Sequence, residues 1–386
     1  MYEHWKGSML SKSYEDELFR RLYLLGSEET DGLIDEFCMR CHAPIGVYLK
    51  EIPPADGSKL SDIAKRGISC DFCHTVSGYK KIGNGNFELS PGMIKRGPFE
   101  DSNSPGHKTA YSELHTKSEF CGICHNLYHP TNNIPLELTY TEWKESPYAE
   151  EGIPCQDCHM RQNPGIPATG ITKRPDYPGI AGAGGGKRPH LYTHYFVGAN
   201  TIPQIQIDET YRQLAIERLR AAATLEIIRP TNPTPDTENT IKINITNAGA
   251  GHYLPTGLTE LRQMWLYVKI TDSSGKTIYE SGALDNEENI DKTSTIYQSI
   301  FADKNGNPTE KVWKIESLIS DNRIPPKKSA TEEHSFNIPA TATLPLNVET
   351  VLKYRSAPQH LVDELFGKGK VTPLVVDMVT EKSQIK

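Results

Sequence analysis

A Cys-x-x-Cys-His pentad occurs four times between Cys38 and His159, as Cys38–His42, Cys70–His74, Cys121–His125 and Cys155–His159. Two thiols three residues apart with a histidine directly behind them form the pattern that fastens a porphyrin. The thiols bond its two vinyl groups, and the imidazole turns under the ring to bind iron. All eight cysteines of the chain lie in these motifs. Two pairs at ribbon spacing would close a zinc site, and one pair would serve as a redox dithiol, but neither needs a histidine after every pair. Four disulfides would equally leave the histidines without a role, and cysteines three residues apart seldom pair across a fold. The pattern therefore predicts four covalently bound haem c groups. Cys38, Cys41, Cys70, Cys73, Cys121, Cys124, Cys155 and Cys158 are the expected attachment points, and His42, His74, His125 and His159 the expected proximal iron ligands.

A chain of 386 residues with 27 prolines and 30 glycines suggests two or three loop-rich domains. Hydrophobic content of 37% is modest for that length, and four apolar porphyrin plates would supply the core of the first half. A net charge of −7 gives no sign of a nucleic-acid surface. No apolar run approaches a membrane span, so no transmembrane segment is expected. Met1 to Arg20 is polar and charged, with no visible leader. Covalent haem attachment as usually found happens outside the cytoplasm, so the sequence reads as a mature extracytoplasmic form.

The expected fold is multidomain: a loop-rich, mainly α tetrahaem domain over 1–205, a connecting helix over 206–228, and an all-β immunoglobulin-like sandwich over 229–386. A helix follows the capping pattern Ser13-x-x-Asp16 and stops at Gly26; another, capped by Asp208, runs to 224. Alternation in Thr240–Thr246 puts Ile241, Ile243 and Ile245 on one strand face, and further strands are expected at Trp265–Ile270, Lys276–Tyr279, Lys311–Ile315, Ser335–Ile338 and Val348–Tyr354. A short helix is expected over His360–Phe366. The glycine-rich segment from Gly179 to Lys187 fails as a phosphate loop, because no Ser or Thr follows Lys187. Tyr2-Glu-His4-Trp5-Lys6-Gly-Ser8 and Tyr140-Thr-Glu-Trp143-Lys144-Glu-Ser146 are similar phrases, either an internal repeat or two chance amphipathic helices.

Nine further histidines compete for the sixth position on each iron: His4, His107, His115, His129, His190, His194, His252, His334 and His360. His107 and His115 are eight residues apart, just over two helical turns, and one turn would align His190 with His194. His252 sits on a turn-rich tip, Gly251-His252-Tyr-Leu-Pro255-Thr-Gly257, able to reach back from the β region. His334 and His360 lie far from any motif and read as structural.

At Leu114-His115-Thr-Lys-Ser118-Glu-Phe-Cys121, Glu142-Trp143-Lys144-Glu-Ser146, His194-Tyr-Phe196-Val-Gly198 and Gly251-His252-Tyr-Leu-Pro255 the chain resembles multihaem c-type cytochromes with a C-terminal immunoglobulin-like domain. The resemblance implies His107, His115, His194 and His252 as distal ligands. It departs where related sequences often carry a ligand histidine two residues after the serine of the Trp-Lys-x-Ser phrase. Here those positions are Leu10 and Tyr148, and His4 or His129 are the substitutes on offer. Some tetrahaem members of the wider group polymerise into extracellular filaments. That implies a homo-polymer at the cell surface or outside it, alternatively a periplasmic protein, with redox proteins or an extracellular acceptor as partners. His4, on an otherwise unanchored arm, would then be a donor to a neighbouring subunit. Iron held by two histidines has no open position, so the chain is expected to be an electron carrier rather than an enzyme. The alternative is a multihaem reductase of a small inorganic substrate with one open-coordinate haem.

Overall fold

The structure is a computed structural model and describes residues 1–164, 177–182, 184–202 and 208–386. The expected boundary between 205 and 206 falls outside the described residues. The first half is short helices joined by loops and two-stranded ribbons, and the second half is antiparallel sheet. Each motif opens on a short helical turn: Asp35–His42, Cys70–Thr75, Glu119–Gly122 and Cys155–His159.

The β region follows from alternation. In Glu238–Asn247 the side chains of Ile241, Ile243 and Ile245 are fully buried. This strand lies between Ser329–Asn337 and Ala223–Ile228. A second sheet runs Thr277–Ser281, Gln263–Thr271, Leu346–Arg355, Val376–Ile385, with Ile296–Tyr297 also paired to Gln263–Thr271. Met264, Leu266, Val268, Leu352 and Tyr354 from this sheet share one core with the three isoleucines of the other.

Several elements differ from expectation. The first long helix is Glu17–Glu29, capped by the Asp16 side chain rather than Ser13. It runs through Gly26, because a Cβ there would come within 2.8 Å of the Trp313 ring, and the glycine lets that indole lie against the helix. The helix Glu209–Arg220 stops earlier than 224, and Ala223 already begins a strand. Lys311–Ile315 is a 3₁₀ turn at Val312–Lys314, from which Trp313 donates its indole N–H to Glu29 at 2.7 Å. The stretch from His107 to His115 is a strand, Lys108–Tyr111, then a 3₁₀ turn, Glu113–Thr116, so its two histidines do not share a helix face. Nor is the chain helical between His190 and His194.

The two halves are locked along their length. The helix Gln359–Phe366 packs Val362, Leu365 and Phe366 with Leu18 and Leu22 of Glu17–Glu29, and Arg21 donates to the Leu365 carbonyl at 2.9 Å. Phe301 and Ile315 of the β region bury against Leu136. Among the described residues no helix is long and apolar enough to cross a membrane.

Candidate haem-attachment site

The four motifs converge. Cys41 lies against Cys124 and Cys121 against Cys155, while Cys73 is close enough to act electrostatically on both Cys121 and Cys124. The third motif thus lies against the first and the fourth, with the second nearby. No disulfide joins any of the eight cysteines. Among the described residues no three His, Cys, Asp or Glu side chains gather within reach of one metal ion.

Each motif histidine is oriented by a bond at Nδ1. His42 donates to the Ser13 carbonyl at 2.7 Å, His159 to the Val197 carbonyl at 2.6 Å, and His74 to the Arg96 carbonyl. His125 instead donates to a carboxylate, Glu137 Oε1, at 3.1 Å. A carbonyl at Nδ1 fixes the proton there and leaves Nε2 bare for iron. At His125 the Glu137 carboxylate overcomes the opposing effect of burial and raises the imidazole to about 9, so iron there would have to displace a proton from Nε2. Burial also pushes His42 down to about 4 and His159 down to about 3, so both rings are neutral near neutral pH.

Two of the expected distal histidines stand opposite motif histidines. The rings of His159 and His252 are 6.2 Å apart and 18° from parallel; those of His74 and His115 are 5.7 Å apart and 12° from parallel. Imidazole–metal bonds of about 2 Å put the centres of two rings on opposite sides of one metal roughly 6 Å apart, a separation that both pairs match. His252 donates Nδ1–H to the Tyr253 carbonyl at 2.9 Å, again leaving Nε2 bare. His115 differs: its Nε2 lies 3.0 Å from the Cys73 carbonyl and its Nδ1 2.8 Å from the Ser112 hydroxyl. Iron at Nε2 would replace the first bond, and the hydroxyl can then accept from Nδ1.

His194 donates Nδ1–H to the Tyr192 carbonyl at 3.2 Å and lies in the electrostatic neighbourhood of His74 and His4. His107 is exposed, bonded at Nδ1 to the Lys108 carbonyl at 3.0 Å, with no ring partner among the described residues. His42 stacks on Phe19 at 3.5 Å. Neither His42 nor His125 forms a histidine–histidine ring contact among the described residues.

The terminal arm is anchored, contrary to expectation. Trp5 is buried and donates its indole N–H to the Ile68 carbonyl at 2.7 Å; the Tyr211 hydroxyl bonds the carbonyls of Glu3 and His4, both at 2.9 Å. His4 stacks on Tyr195, and the His194 N–H points at its Nδ1 at 3.4 Å. A donor aimed at Nδ1 puts the proton of His4 on Nε2, the nitrogen a ligand needs bare. His129 is buried beside Trp313 and Glu316, where burial lowers its pKa.

The two similar phrases are a structural repeat. Trp5 bonds the carbonyl of Ile68, two residues ahead of Cys70, and the Ile68 N–H bonds the Leu10 carbonyl at 2.9 Å. Trp143 bonds the carbonyl of Ile153 at 2.8 Å, two residues ahead of Cys155, and the Ile153 N–H bonds the Tyr148 carbonyl at 2.9 Å. Each phrase therefore clamps the lead-in to one motif, with Leu10 and Tyr148 serving through their carbonyls. Sequence reading missed Glu137, Glu142 and Arg323. Only Glu142 carried a signal, as the residue in the second phrase that matches His4 in the first.

No protein-family model matches the chain, and no curated protein matches it. Among solved structures it is similar to a penta-haem cytochrome c552 from Thermochromatium tepidum, at 19% identity and a TM-score of 0.65, over 100% of this chain and 95% of that one. A CARDB domain from Pyrococcus furiosus, crystallised with di-metal ions, matches 42% of this chain and 84% of its own at 10% identity, with a TM-score of only 0.21. From its terminal arm to its last strand, this chain shares the fold of a multihaem cytochrome c.

Proposed function

We propose that the chain is a tetrahaem c-type cytochrome that transfers electrons outside the cytoplasm. The observation that carries the reading is the convergence of four Cys-x-x-Cys-His motifs whose histidines all have Nδ1 hydrogen-bonded to a carbonyl or carboxylate. Bound haem supplies a one-electron ferric–ferrous couple at each motif. The protein's own contribution is placement. The third motif lies against the first and fourth, with the second nearby, so groups attached there are close neighbours. His115 and His252 stand where they would bind iron held by His74 and His159, and would then leave no open position for a substrate.

A second reading draws support from His125. Its ring donates to the Glu137 carboxylate rather than to a backbone carbonyl, and no described histidine ring faces it. A site of that kind suits a reductase with one open iron. Spectroscopy of the ferric holoprotein separates the two. The carrier gives low-spin signals only and binds no carbon monoxide; a high-spin signal from one haem in four indicates the reductase. His115→Ala in the carrier is expected to convert one low-spin haem to a form that takes up one carbon monoxide per chain. No uptake would remove His115 from the ligand set.

A further inference from the structure

Glu142 and Trp143 are neighbours on the helix Thr139–Lys144, and they grip different parts of the molecule. Trp143 holds the lead-in to Cys155 through the Ile153 carbonyl. Glu142 accepts three bonds from the β region: from the Tyr253 N–H at 3.1 Å, the Thr256 hydroxyl at 2.7 Å and the Arg323 guanidinium at 2.6 Å. Tyr253 directly follows His252. Arg323 is fixed in turn by a two-pronged pair with Asp321 at 2.9 and 2.7 Å, and its guanidinium lies 5.1 Å from the centre of the Tyr253 ring.

The Glu142 and Arg323 side chains are 5% and 9% exposed. A buried ion pair is a weak source of stability, because desolvation offsets its attraction; what it fixes well is geometry. Everything it fixes here is the tip that carries His252. On the same tip a Cβ at Gly251 would lie 3.4 Å from Tyr148, and the Thr139 and Thr256 hydroxyls meet at 2.9 Å. The first phrase repeats the device. His4, which matches Glu142, receives the backbone N–H of His194, while Trp5 grips the lead-in to Cys70.

We propose that Glu142, braced by Arg323, is a positioning residue: it holds the Tyr253 backbone and so sets where the His252 imidazole stands opposite His159. The proposal rests on the reading of His252 as an iron ligand. One short helix then spans the site like a calliper, with one jaw on the attachment segment and the other on the distal tip.

The test uses full-length holoprotein carrying His252→Ala, Glu142→Ala or Glu142→Gln, scored by ferric ligand-field signals and carbon monoxide uptake per chain. His252→Ala is expected to open one haem in four. Glu142→Ala is expected to open the same haem and leave the other three unchanged. Glu142→Gln keeps the volume and one acceptor oxygen, and is expected to give partial carbon monoxide uptake at that haem, where the wild type gives none. If both Glu142 variants keep wild-type signals and take up no carbon monoxide while His252→Ala opens a haem, Glu142 is packing alone and the proposal falls. If His252→Ala leaves four low-spin haems, the ligand reading fails first, and the proposal with it. Should Glu142→Ala not accumulate, Glu142→Gln decides.

Discussion

Trp5→Ala is expected to destabilise the protein by about 3–5 kcal/mol, the usual cost of deleting a buried tryptophan side chain. Trp143→Ala, at a half-buried position, should cost less. The more telling pair is Trp5→Phe and Trp143→Phe, which keep most of the ring and lose the indole N–H bonds to Ile68 and Ile153. Each lost bond leaves a carbonyl without its donor, at roughly 1–3 kcal/mol where it is buried. The effects should separate by site. Trp5→Phe is expected to shift the midpoint potential of the haem at Cys70 and Cys73, and Trp143→Phe that of the haem at Cys155 and Cys158. Denaturant unfolding and a redox titration resolved by haem check both. Identical shifts from the two variants would contradict the assignment of one phrase to each motif.

Glu260→Gln is expected to flatten the dependence of stability on pH. Glu260 is 2% exposed, and neither carboxyl oxygen accepts a hydrogen bond from another residue. Burial pushes its pKa up to about 8; its own backbone N–H and Arg262 oppose the rise, and Glu137 and Glu310 add to it. The folded chain therefore holds a proton that the unfolded chain releases near its ordinary value of 4.5. Stability from this group is fully present below that value and is lost progressively as pH rises to about 8, at up to ~1.4 kcal/mol per pH unit. Urea midpoints at pH 5 and pH 7.5 should therefore diverge in the wild type and move closer together in Glu260→Gln. Parallel behaviour of the two proteins would show that Glu260 is not held protonated by the fold.

Residue spacing was enough to read the attachment residues, because three-residue cysteine spacing and an adjacent histidine are covalent requirements that leave no freedom. The strand around Ile243 was readable for a similar reason: a two-residue alternation has one buried face whatever lies beyond it. The interval between His107 and His115 shows the opposite case. An eight-residue interval fits two helical turns, but the backbone of Lys108–Tyr111 is taken up by parallel pairing with Ile94–Gly97. Gly26 reads as a helix stop in one dimension, yet its lack of a side chain admits Trp313 from nearly three hundred residues away. The bonds that orient the motif histidines were invisible, since three of the four go to backbone carbonyls, which any residue supplies. Glu142 and Arg323 meet across 181 positions, and only the fold brings them together.

Intact mass spectrometry of the chain, produced with its haem-attachment machinery and denatured before injection, tests the central claim most directly. Four porphyrins surviving denaturation on one polypeptide, mapped by proteolysis to the peptides around Cys38, Cys70, Cys121 and Cys155, are what the account predicts. A chain that sheds all added mass on unfolding, or carries fewer than four macrocycles when fully matured, would contradict it.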